Sequence, residues 1–523
     1  MAGRNVMSDN PQQAVIDFLA DPASHGGAAV KRIDTHAASV FLAGERVLKI
    51  KRAVRFPFLD YSTLEKRKSA CDAEIEVNRA YAPAIYRGVV PITRAADGTL
   101  AIGGQKDGSN AEPVEWAVDM LRFDETQTLD HLADKGRVDL TLADALGRAV
   151  AKAHGIVPAV TDAGFADTLA EIIQQNHDEM RAAADLFAAH DVDALTAASR
   201  KALERLRPLL AARERSSCVR RCHGDLHLGN VVLIEGAPVL FDAIEFSPRL
   251  ATIDVFYDLA FLLMDLIARD LVAAANGVLN RYLAETRRAG DLDALAALPL
   301  FMSLRAAIRA KVTAARPQRD ATMEQSARNY FALAQRLIAP PRAKLIAVGG
   351  LSGTGKSLLA RALAPAIMPL PGAIHLRSDV LRKMLFGVPE TERLPASAYK
   401  PEVTARVYAA LAAQARQILA AGHSAIVDAV FAKRAERDAI AQVALHVAQE
   451  AAPGTRFHGL FLTADLSVRV ARVGARTGDA SDADAAIART QEQYDLGELD
   501  WQQVDASGTP EETLRRGQAA LGP

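Results

Sequence analysis

The sequence predicts two domains in series, an α+β domain over residues 12–338 and an α/β domain with a parallel sheet over residues 343–523. Three observations predict this. The chain has 523 residues, well past the length at which one core stops growing and chains divide. Ala339-Pro340-Pro341-Arg342 interrupts a helical pattern with two prolines, which cannot continue a helix and suit a short stiff linker. The texture also changes there, from short strands and a long helical stretch to regular strand–helix alternation.

In the first domain, residues 40–42, 47–50 and 114–120 are apolar runs between turns and read as strands. Residues 62–81 read as a helix and 86–92 as a returning strand, which gives a first lobe over about 12–120. From 121 to 338 alanine and leucine recur at helical spacing, interrupted by 219–245, where two apolar strands flank a loop. In the second domain, residues 344–348, 373–376, 424–427 and 457–462 read as strands with helices between them, the pattern of a parallel sheet.

A net charge of −1 supplies no field for nucleic acid or an anionic membrane. Cys71, Cys218 and Cys222 are odd in number and have no repeated paired spacing, which argues against disulfides or structural zinc and for buried apolar thiols. The first residues are polar, unlike a signal peptide, and the apolar stretch 259–266 is too short to span a bilayer. The expectation is a cytoplasmic protein with neither a nucleic-acid nor a membrane partner. Its oligomeric state is left open.

Gly350-Leu351-Ser352-Gly353-Thr354-Gly355-Lys356-Ser357 fits G-x-x-x-x-G-K-[ST], follows a strand and opens a helix. Backbone N–H groups around Gly350, Ser352, Gly353, Thr354 and Gly355 would cradle ATP phosphates, Lys356 would reach the outer phosphates, and Ser357 would ligate Mg2+. Asp379, just past the next strand, is placed to orient or deprotonate an acceptor hydroxyl, with Arg382 one turn on to hold an anionic acceptor. The bland alternative makes Asp379 a helix cap, which is compatible with catalysis. Asp428 ends an apolar strand, as a second magnesium-side carboxylate does. Arg469, Arg472 and Arg476 precede a glycine turn and suggest a closing lid that neutralises developing charge; a solvated amphipathic helix is nearly as good a reading. Together these parts resemble the small-molecule P-loop kinases, such as gluconate, shikimate and chloramphenicol kinases. No stretch identifies the acceptor.

In the first domain, His223-Gly224-Asp225-Leu226-His227-Leu228-Gly229-Asn230 sits on a loop before an apparent hairpin, and Asp242 lies just past that hairpin. An Asp and an Asn on one loop with a later Asp is kinase-type placement: Asp225 accepts the acceptor's proton, and Asn230 and Asp242 hold magnesium. A metal site at His223, Asp225 and His227 is the rival, and it leaves Asn230 and Asp242 without a role. The segment closely resembles the aminoglycoside phosphotransferase family, with its H-G-D-L-H-x-x-N loop and protein-kinase-like fold. That resemblance implies a strand lysine paired with a helix glutamate: Lys49 or Lys51 share a strand face, and Lys49 is the one chosen, with Glu74 as its partner. It also implies a cover over the phosphates at residues 35–39 and an adenine-binding hinge at residues 115–120, including Met120. Asp254 and Asp258 are expected to brace the catalytic loop.

The two halves together resemble bacterial proteins described as bifunctional aminoglycoside phosphotransferase/ATP-binding proteins, which implies ATP and Mg2+ as cofactors and small hydroxyl-bearing molecules as acceptors. Three readings stay open: two active kinases, one kinase regulated by a second nucleotide-binding domain, or a scaffold with degenerate sites. Arg305, Arg309, Lys311 and Arg316 further suggest a neutral or anionic acceptor for the first domain, unless they simply face water.

Overall fold

The structure, a computed structural model, describes residues 12–56, 59–103, 111–288, 290–316, 319–475 and 478–522. It comprises two compact units, one of Met1–Phe165 with Arg213–Leu262, the other of Ala166–Ala212 with Leu263–Pro523.

In the first unit a short helix, α1 (Gln13–Ala20), precedes three strands, β1 (Val30–Asp34), β2 (Ala38–Ala43) and β3 (Arg46–Lys51). Then come α2 (Leu64–Arg79), β4 (Tyr86–Arg94), β5 (Leu100–Ile102) and β6 (Glu112–Leu121). The strands form one antiparallel sheet in the order β1-β2-β3-β6-β4-β5. Alternation along β3 explains the rest. Leu48 and Ile50 pack with Val15, Ile16 and Leu19 of α1, whereas Val47 packs with Cys71 and Ile75 of α2. Lys49 and Lys51 share the face of Val47 and therefore point at α2. Thr63 caps α2 by accepting from Lys66 N, and the helix buries Glu74 and Asn78 on its sheet-facing side.

The expected adenine hinge at residues 115–120 is not where the structure allows one. β6 is flanked by β3 and β4, so Val118 pairs with both Lys49 and Val89, and Met120 with both Val47 and Tyr86. A strand bonded along both edges has no backbone donors to offer a base. Met120 instead buries its side chain in the β6–α2 core, and the chain leaves the sheet only after Arg122 N bonds Glu45 O at 2.8 Å. Residues 35–38 form the tight turn between β1 and β2, with Ala38 N bonded to Thr35 Oγ1 at 2.9 Å.

Beyond the sheet, Val219–Arg221 pairs with Thr252–Asp254, Val231–Ile234 and Ala237–Leu240 make a hairpin, and α3 (Val255–Ala268) follows. All three cysteines are buried. Among the described residues, no helix is long and apolar enough to cross a membrane.

The second unit begins in helices, including α4 (Val272–Thr286), and continues into a parallel sheet. Its strands are β7 (Lys344–Gly350), β8 (Ile374–Arg377), β9 (Ala425–Asp428), β10 (Arg456–Thr463) and β11 (Gln502–Asp505), in the order β8-β9-β7-β10-β11. The crossover helices are α5 (Lys356–Leu363), α6 (Ser378–Leu385), α7 (Pro401–Ala420), α8 (Arg434–Glu450), α9 (Leu466–Gly474) and α10 (Pro510–Leu521). Ile346, Val348, Ile426 and Leu460 form the core with Leu359 and Leu363 of α5. The sequence reading misses β11 because Val504 is its sole buried apolar residue on an edge strand.

The basic cluster on helix Leu298–Ala314 takes a packing role. Arg305 is 6% exposed, Arg309 lies over the Tyr330 ring at 5.6 Å, and Lys311 pairs with Glu179 at 2.9 Å. With these three side chains so engaged, the cluster is no ground for an anionic acceptor in the first domain.

Candidate active sites

The first site is assembled by side chains from four segments. Lys49 Nζ sits 2.9 Å from Glu74 Oε1 and 2.7 Å from Asp242 Oδ1. Burial opposes the lysine's charge, but Asp242 and then Glu74 outweigh it, holding the ammonium well above its ordinary range. Lys51 lies deeper, paired with the other oxygen of Glu74 at 2.6 Å and with Glu245. Glu245 also accepts from Tyr61 Oη at 3.1 Å. The two lysines thus divide one carboxylate: Lys49 turns toward Asp242, and Lys51 fastens the following loop to the sheet.

Asp242 takes a left-handed backbone, φ 60°, and is held there from two sides. Its N–H donates to Tyr86 Oη at 3.1 Å, and the Asn78 amide receives Ala243 N–H at 2.8 Å. Phe241 N bonds Asn230 O at 3.0 Å, which joins the loop of Asp242 to that of Asn230. Asn230 Nδ2 donates to Asp225 O at 2.9 Å and Asp225 Oδ2 at 3.1 Å, which leaves its Oδ1 as the end available to a cation. A hard divalent ion takes such oxygen ligands, so Asn230 and Asp242 fit magnesium.

Asp258 braces the catalytic loop by accepting His223 N at 3.1 Å and Gly224 N at 2.9 Å, and His154 Nε2 bonds it at 3.2 Å. His154, Cys222 and Asp258 are close enough to suggest a metal. Asp258, however, already spends both oxygens on the loop backbone. Asp254 is taken bidentately by Arg213 at 2.7 and 2.9 Å. His223 is buried, which depresses its pKa and keeps the ring neutral, and its Nε2 is 2.8 Å from Phe241 O. Burial and that contact make it part of the scaffold, where the rival reading has it a metal ligand.

The second site is a backbone loop over a cavity of 1180 Å³ lined by Ser352, Gly353, Gly355, Lys356, Ser357, Asp379 and Asp428. Gly353 has φ 88°, and a Cβ there would meet the Arg469 carbonyl at 2.5 Å. Gly355 has φ 93°, and a Cβ there would meet nothing within 4 Å, so its approach to the cavity is open. Gly350 N bonds Val430 O at 3.1 Å, Ser352 N bonds Gln491 Oε1 at 2.7 Å, and Thr354 Oγ1 bonds Leu351 O at 2.8 Å. Lys356 Nζ lies 3.1 Å from Leu351 O, folded back along the loop.

Two carboxylates face this loop in different states. Burial raises the pKa of Asp379, and the charge of Asp428 adds to the rise against the pull of Lys356. Asp428 is also buried, but His375 Nε2 at 2.6 Å outweighs burial and holds it ionised below its ordinary value. The two carboxylates are thus pushed to opposite sides of an aspartate's ordinary value. Ser357 and Asp428 supply hard oxygen donors suited to magnesium.

The lid arginines need correction. Arg469 is 2% exposed and braces the phosphate loop, donating to Ser352 O at 2.9 Å and Ala488 O at 3.0 Å. Arg472 donates to Ala506 O at 2.8 Å and Gly508 O at 2.7 Å on the cavity wall, so its guanidinium is fastened rather than swinging. Arg476 lies outside the described residues. Arg382 donates to Ala398 O at 2.7 Å and lies over Tyr399 at 4.8 Å. No sequence pattern marks Tyr86, Asn78 or Glu245 as part of a site. His375 alone had a readable signal, since strand alternation puts it on the face of Arg377, whose register partner is Asp428.

Residues 39–298 match the phosphotransferase enzyme family, and residues 345–496 match an AAA domain family. An uncharacterized protein of Mycobacterium tuberculosis is 29% identical over 494 residues, covering 92% of this chain and 93% of its own. Among solved structures, a gluconokinase from Sinorhizobium meliloti is 28% identical over 34% of this chain and 91% of its own, with a TM-score of 0.24. A choline/ethanolamine kinase family protein from Mesorhizobium loti is 17% identical over 62% of this chain and 94% of its own, with a TM-score of 0.39.

Proposed function

We propose, for a chain that joins a phosphotransferase-family domain to a P-loop domain and is an ATP-dependent kinase, that each domain transfers the terminal phosphoryl group of magnesium-bound ATP to a hydroxyl of its own small-molecule acceptor. The observation that carries this is the repeated pairing in each site: a lysine and hard oxygen donors for phosphate and cation, beside a separate carboxylate for the nucleophile.

In the first domain Lys49, fixed by Glu74, grips the phosphates, Asn230 and Asp242 hold the cation, and Asp225 aligns the acceptor hydroxyl. In the second, the backbone N–H groups of Gly353 and Gly355, together with Lys356, take the phosphates, because those of Gly350, Ser352 and Thr354 are spent on Val430, Gln491 and Leu351; Ser357 and Asp428 hold the cation, and Asp379 aligns the hydroxyl. Arg382 flanks the acceptor end of the cavity. Arg472, pinned flat by two carbonyls beside Pro510, offers its face to the base. What bound magnesium supplies in either site is neutralisation of phosphate charge. The bond between the terminal phosphorus and its bridging oxygen breaks, a bond to the acceptor oxygen forms, and the hydroxyl proton passes to Asp225 or Asp379. Positioning and charge neutralisation do most of the work.

ATP titrations by calorimetry on the full chain test the reading. Two magnesium-dependent binding events are expected, one lost in Asp242→Ala and the other in Lys356→Ala. A single event that survives both substitutions overturns it.

A further inference from the structure

The strand that leads to Asp379 is the outer strand of its sheet, and what covers it is a side-chain imitation of a sixth strand. β8 uses one edge to pair with β9, with Ile374 beside Ala425 and Arg377 beside Asp428. On its other edge, Ala373 O and His375 N point away from the sheet. In a parallel ladder one residue of a neighbouring strand accepts from one such N–H and donates to the carbonyl two residues earlier. Asn280 of α4 does both with its side-chain amide: Oδ1 receives His375 N at 2.8 Å, and Nδ2 reaches Ala373 O at 3.3 Å. Asn276, one turn earlier and 5% exposed, adds a second donor to Ala373 O at 3.0 Å. Arg281, the residue after Asn280, turns away from the strand edge to pair with Glu390 at 3.2 Å.

An uncovered edge strand frays and recruits foreign strands. Here fraying would reach the chemistry, because His375 also bonds Asp428 Oδ2 at 2.6 Å, and Asp379 follows two residues after the strand ends. The geometry points to Asn280, supported by Asn276, as a positioning residue for the P-loop site: it fixes the backbone of His375 and through it the carboxylate of Asp428. Both asparagines lie within residues 39–298, the segment matched to the phosphotransferase family. The P-loop site therefore depends on a helix that precedes the 339–342 linker. This inference rests on reading the P-loop cavity as a kinase site.

The test uses the full-length chain carrying Asp225→Asn, which silences the first site. ATP turnover abolished by Lys356→Ala then reports the second site; absence of such turnover sinks the kinase reading, and the part of the inference that concerns the strand edge is then decided by hydrogen exchange alone. Hydrogen exchange at residues 374–377 decides the inference separately. In Asn280→Ala these amides should exchange at least about ten-fold faster, and half-saturating magnesium should rise on the order of ten-fold with the affinity for ATP little changed, as for other groups that orient a metal ligand. Asn280→Gln keeps both the acceptor for His375 N and the donor for Ala373 O and should recover part of the protection, even if Asn280→Ala is too unstable to assay. Arg281→Ala should leave the magnesium dependence unchanged. Unchanged exchange and magnesium dependence in Asn280→Ala, or no recovery in Asn280→Gln, overturns the proposal.

Discussion

The two sites handle the same phosphate chemistry with different materials. Around Gly353 and Gly355 the grip is backbone, wound tightly within one loop and braced from behind by Arg469. Around Lys49 it is side chains, brought together from β3, α2, the catalytic loop and the segment after the hairpin. A backbone cradle is set by local dihedral angles and tolerates change around it. A side-chain cradle exists only when several distant segments are packed correctly, so its supports matter as much as its contacts.

The largest expected effect separates chemistry from grip in the first site. Asp225→Asn should lower turnover there by about 10²–10⁴-fold, the usual weight of a positioned base, with ATP affinity nearly intact. Strong loss of affinity in a binding titration would mean that Asp225 belongs to the grip.

The two lysines sharpen the contrast further. Lys51→Met leaves Glu74 and Glu245 buried with one cation fewer and should cost about 3–5 kcal/mol of stability by chemical denaturation. Lys49→Met should instead lower ATP affinity at the first site by about 10–100-fold, as loss of a charged hydrogen bond does. If Lys49→Met unfolds the protein as readily as Lys51→Met, the division of roles drawn from Glu74 is wrong.

In the backbone cradle the glycines should part in the same way. Gly353→Ala forces a Cβ against a carbonyl and should cost about 1–3 kcal/mol of strain or more. Gly355→Ala meets no protein atom but still carries the strain of φ 93°, about 1–2 kcal/mol, so it should destabilise less than Gly353→Ala and mainly weaken nucleotide binding. Thermal melts with and without ATP would tell them apart.

The smallest effect is a pH limb. Asp379 accepts a proton only when ionised, and burial raises its pKa. Activity of the second site should therefore fall on acidification at a pH above an aspartate's ordinary value and be retained above it. A limb unchanged by Asp379→Glu would assign the titration to another group.

The amino-acid sequence by itself determined the parts whose geometry is local. The eight residues from Gly350 to Ser357 specify a phosphate loop wherever a strand enters and a helix leaves. Asp225 and Asn230, five positions apart, meet because a single turn of loop closes between them. Tertiary structure alone decided which of two lysines faces Asp242, why β6 offers no hinge at Met120, and why Arg472 is fastened to the cavity wall. It also decided that Asn280 completes a sheet edge 95 positions away. Each of these depends on which groups from remote segments satisfy one another's charge and hydrogen bonds, and no local pattern encodes that.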